Sequence, residues 1–265
     1  MMTINQNQQL LQTRSIKKGG VVHDADFECF RCITKPDPTI LDVGANRGQS
    51  IASFKLLFPE SNIDSFEANP LFFPILEGVK AWYSNVQIHN YGLGSDTGVL
   101  EFQVPIVDGK AYLEEGSTRD DNFEKPWVIE RLKSYGEKLE FDVFPVEIRV
   151  ADQALHEQAV DIVKIDVEGA EFDVLSSMTR IIERSRPVFL IENSDFDNVT
   201  PFLEGLGYLC YQYFSDCNEL RPLEYACTNC IYVHPENDQG LSKIMRDSSI
   251  PQGTEIEPDS DSSQD

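Results

Sequence analysis

Positive charge is scarce in this sequence. The 265 residues include 22 Lys and Arg against 45 Asp and Glu, which gives a formal net charge of −23 at pH 7. The acidic residues are spread through the body of the chain as well as its C-terminal end, so the surface is expected to repel phosphate backbones and anionic lipid headgroups. We therefore expect neither nucleic acid nor a membrane surface among its partners.

Long hydrophobic runs are also absent. No stretch approaches the length of apolar sequence that a membrane-spanning helix needs, and residues 1–12 are rich in Asn and Gln where a secretory signal would be hydrophobic. The sequence therefore predicts a cytoplasmic protein. A chain of 265 residues is long enough for one α/β domain with a substantial core, and too short for two large domains.

Histidine is rare, with four in the whole chain, and the six cysteines include two C-x-x-C pairs, Cys29–Cys32 and Cys227–Cys230. The first pair follows a helical pattern. The second runs into a strand, where residues three apart point to opposite faces unless the chain turns at Thr228 and Asn229. A shared zinc ion is therefore disfavoured, and free, partly buried thiols are the preferred interpretation.

The most informative stretch is Thr39–Ser50. An apolar run that contains Ile40 and Val43 is followed by two glycines and then by helical spacing, which predicts a strand, a tight turn and a helix. A glycine turn at this place lets the backbone approach a ligand closely and points the first amides of the helix at it. The predicted cofactor contacts in this segment are Asp42, Gly44, Ala45, Asn46, Gly48 and Gln49.

A second acidic residue stands at the end of the next predicted strand. Glu67 follows Ile63–Phe66 and lies 25 residues after Asp42. An acid at this position is placed to bind ribose hydroxyls, as in the nucleotide-binding half of a doubly wound sheet. We place Glu67 and Asn69 in the predicted cofactor site, and Asn69 is also suited to cap the helix that follows.

Two classes of cofactor use this arrangement. The dinucleotide fingerprint requires G-x-G-x-x-G, but Asn46 occupies the second glycine position, which disfavours NAD. An acid two residues before the first glycine suits S-adenosylmethionine better. That ligand has no pyrophosphate, and it carries an ammonium and a sulfonium that carboxylates attract.

Three blocks of this sequence resemble the hallmark motifs of the FkbM-type S-adenosylmethionine-dependent methyltransferases. They are Asp42–Gly48 (DVGANRG), Phe66–Pro70 (FEANP) and Val163–Glu171 (VKIDVEGAE), and their order and spacing agree with that family. The resemblance covers roughly residues 40–233. It implies a Rossmann-like class I methyltransferase fold and O-methylation of hydroxyls on sugars and related natural products.

The order of strands and helices predicts an α/β fold with a doubly wound, mostly parallel sheet. The segments Tyr208–Tyr213 and Thr228–His234 are strand-like, and the resemblance implies that they form the antiparallel closing pair of class I methyltransferases. Strand Asp161–Val167 is apolar enough to lie in the centre of the sheet.

The chain is predicted to contain one folded domain between two flexible ends. Residues 1–20 are expected to form a mobile arm, residues 21–245 the methyltransferase domain and residues 246–265 a disordered acidic tail. Residues 105–145 do not fit a minimal doubly wound core. We interpret this insertion as a substrate lid, with an ordinary surface excursion as the alternative.

Charged residues in the central strand are candidates for chemistry. Lys164 and Asp166 alternate along the strand and therefore share a face, and Glu168 lies just past the strand end. A lysine in so apolar a strand must be paired, and Asp166 or Asp42 is its expected partner. Asp166 and Glu168 lie on the rim where open α/β sheets bind ligands.

A hydroxyl that attacks a methyl group has to lose its proton, so the site needs a base. Three routes remain open from the sequence. A carboxylate takes the proton directly, with Asp166, Glu168 and Glu192 as candidates, or His89, at the end of another strand, takes it. In the third route, Mg²⁺ acidifies the hydroxyl while Asp166, Glu192 and Asn193 hold the ion.

We therefore expect an S-adenosylmethionine-dependent O-methyltransferase whose partner is a small-molecule or glycan acceptor, with a sugar or glycosylated natural product as substrate. A non-catalytic carbohydrate-binding or scaffold protein on the same fold is the main alternative, but the intact glycines and Glu67 speak against it. A nicotinamide-dependent oxidoreductase is the third hypothesis. The sequence does not indicate an oligomeric state.

Overall fold

The computed structural model describes residues 6–155, 157–223 and 225–246, so all of the predicted acidic tail except its first residue, Arg246, lies outside the described residues. The α-helices are α1 (Gln6–Gly19), α2 (Gln49–Leu57), α3 (Phe73–Lys80), α4 (Pro126–Tyr135), α5 (Ala151–Ala154), α6 (Glu171–Ser176), α7 (Thr179–Ser185) and α8 (Phe196–Gly205). The strands are β1 (Thr39–Val43), β2 (Asn62–Phe66), β3 (Val86–His89), β4 (Gly92–Leu93), β5 (Gly98–Val107), β6 (Lys110–Ala111), β7 (Leu139–Arg149), β8 (Ile162–Ile165), β9 (Val188–Glu192), β10 (Leu209–Phe214), β11 (Glu219–Pro222) and β12 (Asn229–Val233). None of the helices in these ranges has the length and apolar character needed to cross a membrane.

The main sheet has eight strands in the order β11-β10-β12-β9-β8-β1-β2-β3. The five strands from β9 to β3 in this order pair in parallel, whereas β12, β10 and β11 pair antiparallel at the closing edge. The predicted doubly wound, mostly parallel sheet is confirmed, and β11 adds a third strand to the predicted closing pair. Strand order reverses between β1 and β8, which is where sheets of this type bind ligands.

Alternation of side chains along β1 separates two hydrophobic cores. Ile40 belongs to the core that contains residues of α2 and α3, and Leu41 belongs to the core that contains residues of α6, α7 and α8. All four residues of β8 are buried, as expected for a central parallel strand with helices on both faces. The two layers fix the carboxyl ends of β1 and β8 side by side.

A second sheet contains the segment that we interpret as a lid. β5 and β7 form a long antiparallel hairpin that runs from the Gly98↔Ile148 pair to the Val107↔Leu139 pair. Short strands β4 and β6 flank this hairpin. The insertion 105–145 is therefore the distal half of the hairpin together with α4, and Val107 packs there with Val128 and Leu132.

The N-terminal segment differs from the prediction. The sequence predicts a mobile arm over residues 1–20, but α1 covers most of this range and packs against α2 and α3. Thr13 is fully buried, and its hydroxyl donates to the Arg47 carbonyl at 3.0 Å. The expectation of a mobile arm is wrong for α1, because tertiary contacts stabilise a helix that its polar composition does not indicate.

The segment that follows Gly169 forms two short helices, α6 and α7, with a break between them. Asp152 explains the break, because its carboxylate accepts the backbone N–H groups of Arg180 (2.9 Å) and Ile181 (3.0 Å) at the start of α7. The N–H of Asp152 in turn donates to the Ser177 carbonyl at 3.0 Å. A residue distant in sequence thus caps α7, and no local pattern reveals such a cap.

The turn after β1 should tolerate no side chain at Gly44. Its φ is +82°, and an added Cβ would lie 1.8 Å from the carbonyl oxygen of Asp166. We expect Gly44→Ala to lower the free energy of unfolding by about 3 kcal/mol or more, because backbone strain and a backbone clash add together. Urea denaturation measures this loss.

Gly205→Ala at the end of α8 is the matched control, because nothing lies within 4 Å of its added Cβ. It should change the free energy of unfolding by less than about 1 kcal/mol. Equal stability of the two variants would show that Gly44 does not pack as closely against the Asp166 carbonyl as the structure has it.

Candidate functional site

A pocket opens at the carboxyl ends of β1, β2 and β8, where the strand order reverses. The space between its lining atoms is ≈ 680 Å³, including space open to solvent. The structure brings five of the predicted site residues into its wall, namely Gly44, Asn46, Glu67, Asp166 and Glu168.

Backbone hydrogen bonds hold the turn after β1 against the end of β2. The N–H groups of Gly44 and Ala45 both donate to the Phe66 carbonyl, at 2.9 and 3.0 Å. Asn46 has a left-handed φ of 49°, and its N–H donates to Glu67 Oε2 at 2.7 Å. Its side-chain Oδ1 is buried and has no hydrogen-bond partner among the described residues. One polar group in the pocket wall is therefore left for a ligand.

Glu67 is held in a fixed orientation by two backbone amides. Its Oε2 accepts from Asn46 and its Oε1 from Asn69, both at 2.7 Å, and the residue is 8% exposed. Burial raises the pKa of Glu67 to about 7, although the two amides and the charge of Lys164 act in the opposite direction. The charge of this carboxyl group therefore changes near neutral pH.

A buried lysine lies directly beneath the pocket. Lys164 Nζ donates to the Gly44 carbonyl at 2.6 Å, and it lies 3.7 Å from Asp42 Oδ1 and 3.2 Å from Asp166 Oδ2. Burial alone would lower the pKa of Lys164, but the two carboxylates outweigh it and the pKa lies above its ordinary value. The predicted pairing of Lys164 is confirmed, and it involves both candidate partners.

Asp42 does not contact the pocket, in contrast to the prediction. It is fully buried, and its Oδ2 accepts from the hydroxyls of Ser50 (2.8 Å) and Ser65 (3.1 Å). Burial raises the pKa of Asp42, and Lys164 and the two serines offset this only in part. This carboxylate supports the turn from below and is not placed to bind a ligand.

Three carboxyl groups lie close together at the ends of β8 and β9. Burial, reinforced by a hydrogen bond with Asp166, raises the pKa of Glu192 to about 8. Burial and the charge of Asp166 raise the pKa of Glu168 to about 7, although Arg131 acts in the opposite direction. At neutral pH, Glu192 is mainly protonated and Glu168 is poised between its two states. This cluster is suited to exchange protons at physiological pH.

The insertion supplies residues that hold Glu168 from above. Arg131 Nη2 lies 2.6 Å from Glu115 Oε2 and 3.6 Å from Glu168 Oε2. The Ser117 hydroxyl donates to the Glu168 carbonyl at 3.1 Å, and the Tyr135 hydroxyl donates to Glu115 Oε1 at 3.0 Å. Sequence reasoning missed these residues. The available signal was Arg131, which is three residues after Val128 and therefore on the apolar side of α4; Glu115 lies in a polar loop and gave no such signal.

The insertion also forms part of the pocket wall. The lining residues that it contributes are Leu113, Glu114, Gly116 and Thr118. Its position is fixed from the β2 side, because Asn69 Nδ2 donates to the Leu113 carbonyl at 3.2 Å. The insertion therefore covers the rim of the site, and its role as a substrate lid stays a prediction.

Several residues predicted to contact the cofactor lie outside the pocket wall. The side chain of Asn69 is fully buried, and besides Leu113 it bonds to the Leu71 N–H, so it caps the following segment. Ala45 is buried, Gly48 faces Val79, and Gln49 lines a separate cavity beside α1. A motif locates the segment, but the local backbone decides which of its groups face the ligand.

The structure does not support His89 as the base. Its Nε2 pairs with Asp64 Oδ1 at 2.8 Å, and its ring stacks on Phe66 with 4.5 Å between the centroids. Phe66 lines the pocket and His89 does not. The histidine end of β3 is therefore separated from the pocket by an aromatic ring.

The predicted magnesium ligands do not fit a metal ion. Asn193 Nδ2 donates to the Tyr232 hydroxyl at 2.9 Å, Asp166 pairs with Lys164, and Glu192 is hydrogen-bonded to Asp166. Within the described ranges, no group of three or more His, Cys, Asp or Glu is arranged to hold a metal. We therefore assign no step to Mg²⁺.

The family model of the methyltransferase FkbM domain matches residues 42–210, which is more than half of the chain. This protein belongs to the FkbM methyltransferase family. The match begins at the buried acid beneath the first turn and includes the pocket, the carboxyl cluster and the insertion. Membership confirms the resemblance seen in the three sequence blocks.

Individual relatives of this FkbM methyltransferase are distant. Methyltransferase 1 of Beauveria bassiana (strain ARSEF 2860) is 26% identical over 194 residues, covering 68% of this chain and 76% of that protein. The 2-O-methyltransferase NoeI of Sinorhizobium fredii (strain NBRC 101917 / NGR234) is 26% identical over 163 residues, covering 59% of this chain and 64% of NoeI. Among solved structures, methyltransferase FkbM from Methylobacillus flagellatus KT is 15% identical with a TM-score of 0.49, covering 75% of this chain and 44% of that one.

In this methyltransferase, loss of the buried ammonium should destabilise the whole fold. Lys164→Met leaves Asp42 buried without a charged partner, so we expect the free energy of unfolding to fall by about 3–5 kcal/mol. Lys35→Met is the matched control, because Lys35 pairs with Asp161 at 2.7 Å while its own side chain is 46% exposed. That change should cost about 1 kcal/mol or less. Denaturant titration compares them, and a similar loss in both would show that Lys164 is not a structural centre.

Proposed function

We propose that this methyltransferase uses S-adenosylmethionine to methylate a hydroxyl group, and that its acceptor is a sugar or a glycosylated small molecule. The observation that carries the proposal is the cluster of Asp166, Glu168 and Glu192 at the edge of the pocket. Two of its members have pKa values raised to about 7 and about 8, which suits proton transfer at neutral pH.

The pocket wall supports the choice of cofactor. Its apolar side suits a purine ring and consists of Phe66, Ala68, Phe72, Leu93, Phe102, Leu113 and Ile148. Glu67 offers a fixed carboxylate to ribose hydroxyls, and the free Oδ1 of Asn46 suits an ammonium or amine donor. S-adenosylmethionine, when bound, supplies an electrophilic methyl group on a sulfonium sulfur.

Glu168 is the best-matched base for the hydroxyl. A general base works most efficiently when its pKa lies near the working pH, and the pKa of Glu168 is raised to about 7. Asp166 is engaged by Lys164, and the protonated Glu192 is suited to donate a hydrogen bond. We infer that Glu168 takes the hydroxyl proton at a carboxylate oxygen while Asp166 and Glu192 orient the acceptor.

The acceptor class follows from charge and from one relative. The carboxyl groups of the rim accept hydrogen bonds from several hydroxyls, as a sugar offers, and the net charge of −23 disfavours phosphorylated acceptors. NoeI is named a 2-O-methyltransferase, which supports oxygen as the methylated atom.

We expect the affinity for S-adenosylmethionine to increase from about pH 6 to about pH 8. Ribose hydroxyls donate to the ionised form of Glu67, whose pKa in the free protein is about 7, so binding at lower pH must first remove a proton. Isothermal titration calorimetry at the two pH values measures the change.

Glu67→Gln keeps the shape of the side chain and removes its titration. It should bind the cofactor at least about tenfold more weakly at the higher pH and show a much smaller pH dependence. Wild-type affinity in this variant at both pH values would remove Glu67 from the cofactor site, and absence of binding by the wild type would remove the cofactor assignment itself.

Glu168→Gln should lower turnover by roughly 10²-fold or more, with cofactor affinity changed far less, because it removes the base and keeps the shape. In the wild type, turnover should rise with pH up to about 7 and then level off, since the base acts in its ionised form. Steady-state kinetics with a series of methylated and unmethylated sugars measures both effects. Glu114→Gln, in the same pocket wall, is the control and should retain turnover.

Arg131→Met provides an independent check on the same base. Arg131 lowers the pKa of Glu168, so the loss of Arg131 should raise the pH at which turnover increases. Lys133→Met removes the same charge from an exposed position of α4 and should leave that pH unchanged. Normal turnover of Glu168→Gln on a proven acceptor would assign the base to another group.

A further inference from the structure

Three cysteine sulfurs meet at the closing edge of the main sheet, away from the pocket. Cys227 Sγ lies 3.3 Å from Cys230 Sγ, and Cys210 on the neighbouring strand β10 also hydrogen-bonds to Cys230. All three are free thiols. A bend at Thr228, just before β12 begins, turns the two side chains of the C-x-x-C pair toward each other. Without this turn, two residues three apart on a strand would point to opposite faces of the sheet.

We propose that Cys227 and Cys230 form an oxidation site, at which a hydroperoxide converts the two thiols into an intrachain disulfide. A disulfide bond is about 2.05 Å long, so the two sulfurs have to approach each other by little more than about 1 Å. The bend that already brings them into contact is the part of the chain that has to move.

Exposure and charge assign different parts to the two sulfurs. Cys227 is partly exposed and Cys230 is fully buried, so the oxidant reaches Cys227 first. Hydrogen bonds from Cys210 and Cys227 lower the pKa of Cys230, and the same contact with Cys230 raises the pKa of Cys227. Because the two sulfurs lie 3.3 Å apart, Cys230 can accept the Cys227 proton across the S–H···S hydrogen bond, which leaves the exposed sulfur as a thiolate when the oxidant arrives.

The reaction is a two-electron oxidation in two steps. The Cys227 thiolate attacks one oxygen of hydrogen peroxide, the O–O bond breaks, and the departing hydroxide takes a proton from solvent and leaves as water. Cys230 then attacks the sulfur of the resulting sulfenic acid, the S–S bond forms, and the hydroxyl leaves with the Cys230 proton as a second water. Overall, two thiols are oxidised to one disulfide and one hydrogen peroxide is reduced to two waters.

The site is joined to one edge of the carboxyl cluster. The Thr228 carbonyl accepts the Asn193 N–H at 2.6 Å, and Asn229 is the sheet partner of Glu192. Formation of the disulfide has to shift the bend that makes these contacts. Oxidation of the two thiols requires neither the cofactor nor the acceptor. The experiment on the oxidation site therefore gives a result that is independent of the proposed function.

Peptide mapping tests the proposal on the full chain. The protein is treated with a small excess of hydrogen peroxide, free thiols are alkylated in denaturant without reductant, and chymotryptic peptides are analysed by mass spectrometry. Chymotrypsin cleaves after Tyr225 and Tyr232, so the peptide with Cys227 and Cys230 contains no other cysteine. We expect the peptide that carries Cys227 and Cys230 to lose two hydrogen atoms and to take up no alkyl group, and dithiothreitol to reverse both changes. Cys29 and Cys32 have the same spacing, but both lie in the 3-10 helix Ala25–Cys32 and Cys29 is fully buried. They are the internal control and should remain alkylated.

Two variants complete the experiment. Cys217→Ser removes an exposed thiol outside the cluster and should leave the disulfide unchanged, whereas Cys227→Ser should abolish it. The proposal is overturned if wild-type protein keeps both thiols, if Cys210 and Cys230 form the bond, or if Cys227 proceeds to sulfinic acid without a disulfide. The wild-type map decides the question even where a variant folds poorly.

Discussion

The ammonium group of Lys164 makes the contacts that hold the candidate site together. It is buried, and a buried charge is tolerated only when it is paired and hydrogen-bonded. Here the Gly44 carbonyl, Asp42 and Asp166 satisfy it, which joins the first turn, the strand beneath it and the rim of β8. The register of the sheet makes this possible, because Asp42 and Lys164 are direct partners in the β1–β8 pairing. The turn after β1 and the carboxyl cluster at the end of β8 are thereby held by one group.

Burial also gives the carboxyl groups around the pocket higher pKa values than those on the surface. Around the pocket, burial raises the pKa values of Glu67, Glu168 and Glu192. On the surface, hydrogen bonds from arginines lower the pKa values of Glu147 and Glu219. A very acidic chain thus keeps a small set of its carboxyl groups ready to bind and release protons near neutral pH. That difference comes from position in the fold, because the residue type is the same.

Sequence reasoning located the sheet, the first turn and the rim, because strand and turn patterns are local and the blocks that carry them are short. It failed where the direction of a side chain decides the role. Asp42 and Asn69 stand in the right segments, yet one points beneath the turn and the other into its own cap. Sequence reasoning also failed where the residues that contact each other lie far apart in the sequence. The contact of Arg131 with Glu168 and the packing of α1 both depend on tertiary structure, which no local pattern contains.

We infer that the pocket between β1, β2 and β8 holds the cofactor and that the insertion covers it. Hydrogen–deuterium exchange with and without S-adenosylmethionine shows which segments the cofactor contacts. We expect slower exchange in three segments, namely the turn after β1, the end of β2 and residues 113–118 of the insertion, with little change in β10 to β12. Protection confined to the separate cavity beside α1, or no protection in any segment at saturating cofactor, would contradict it.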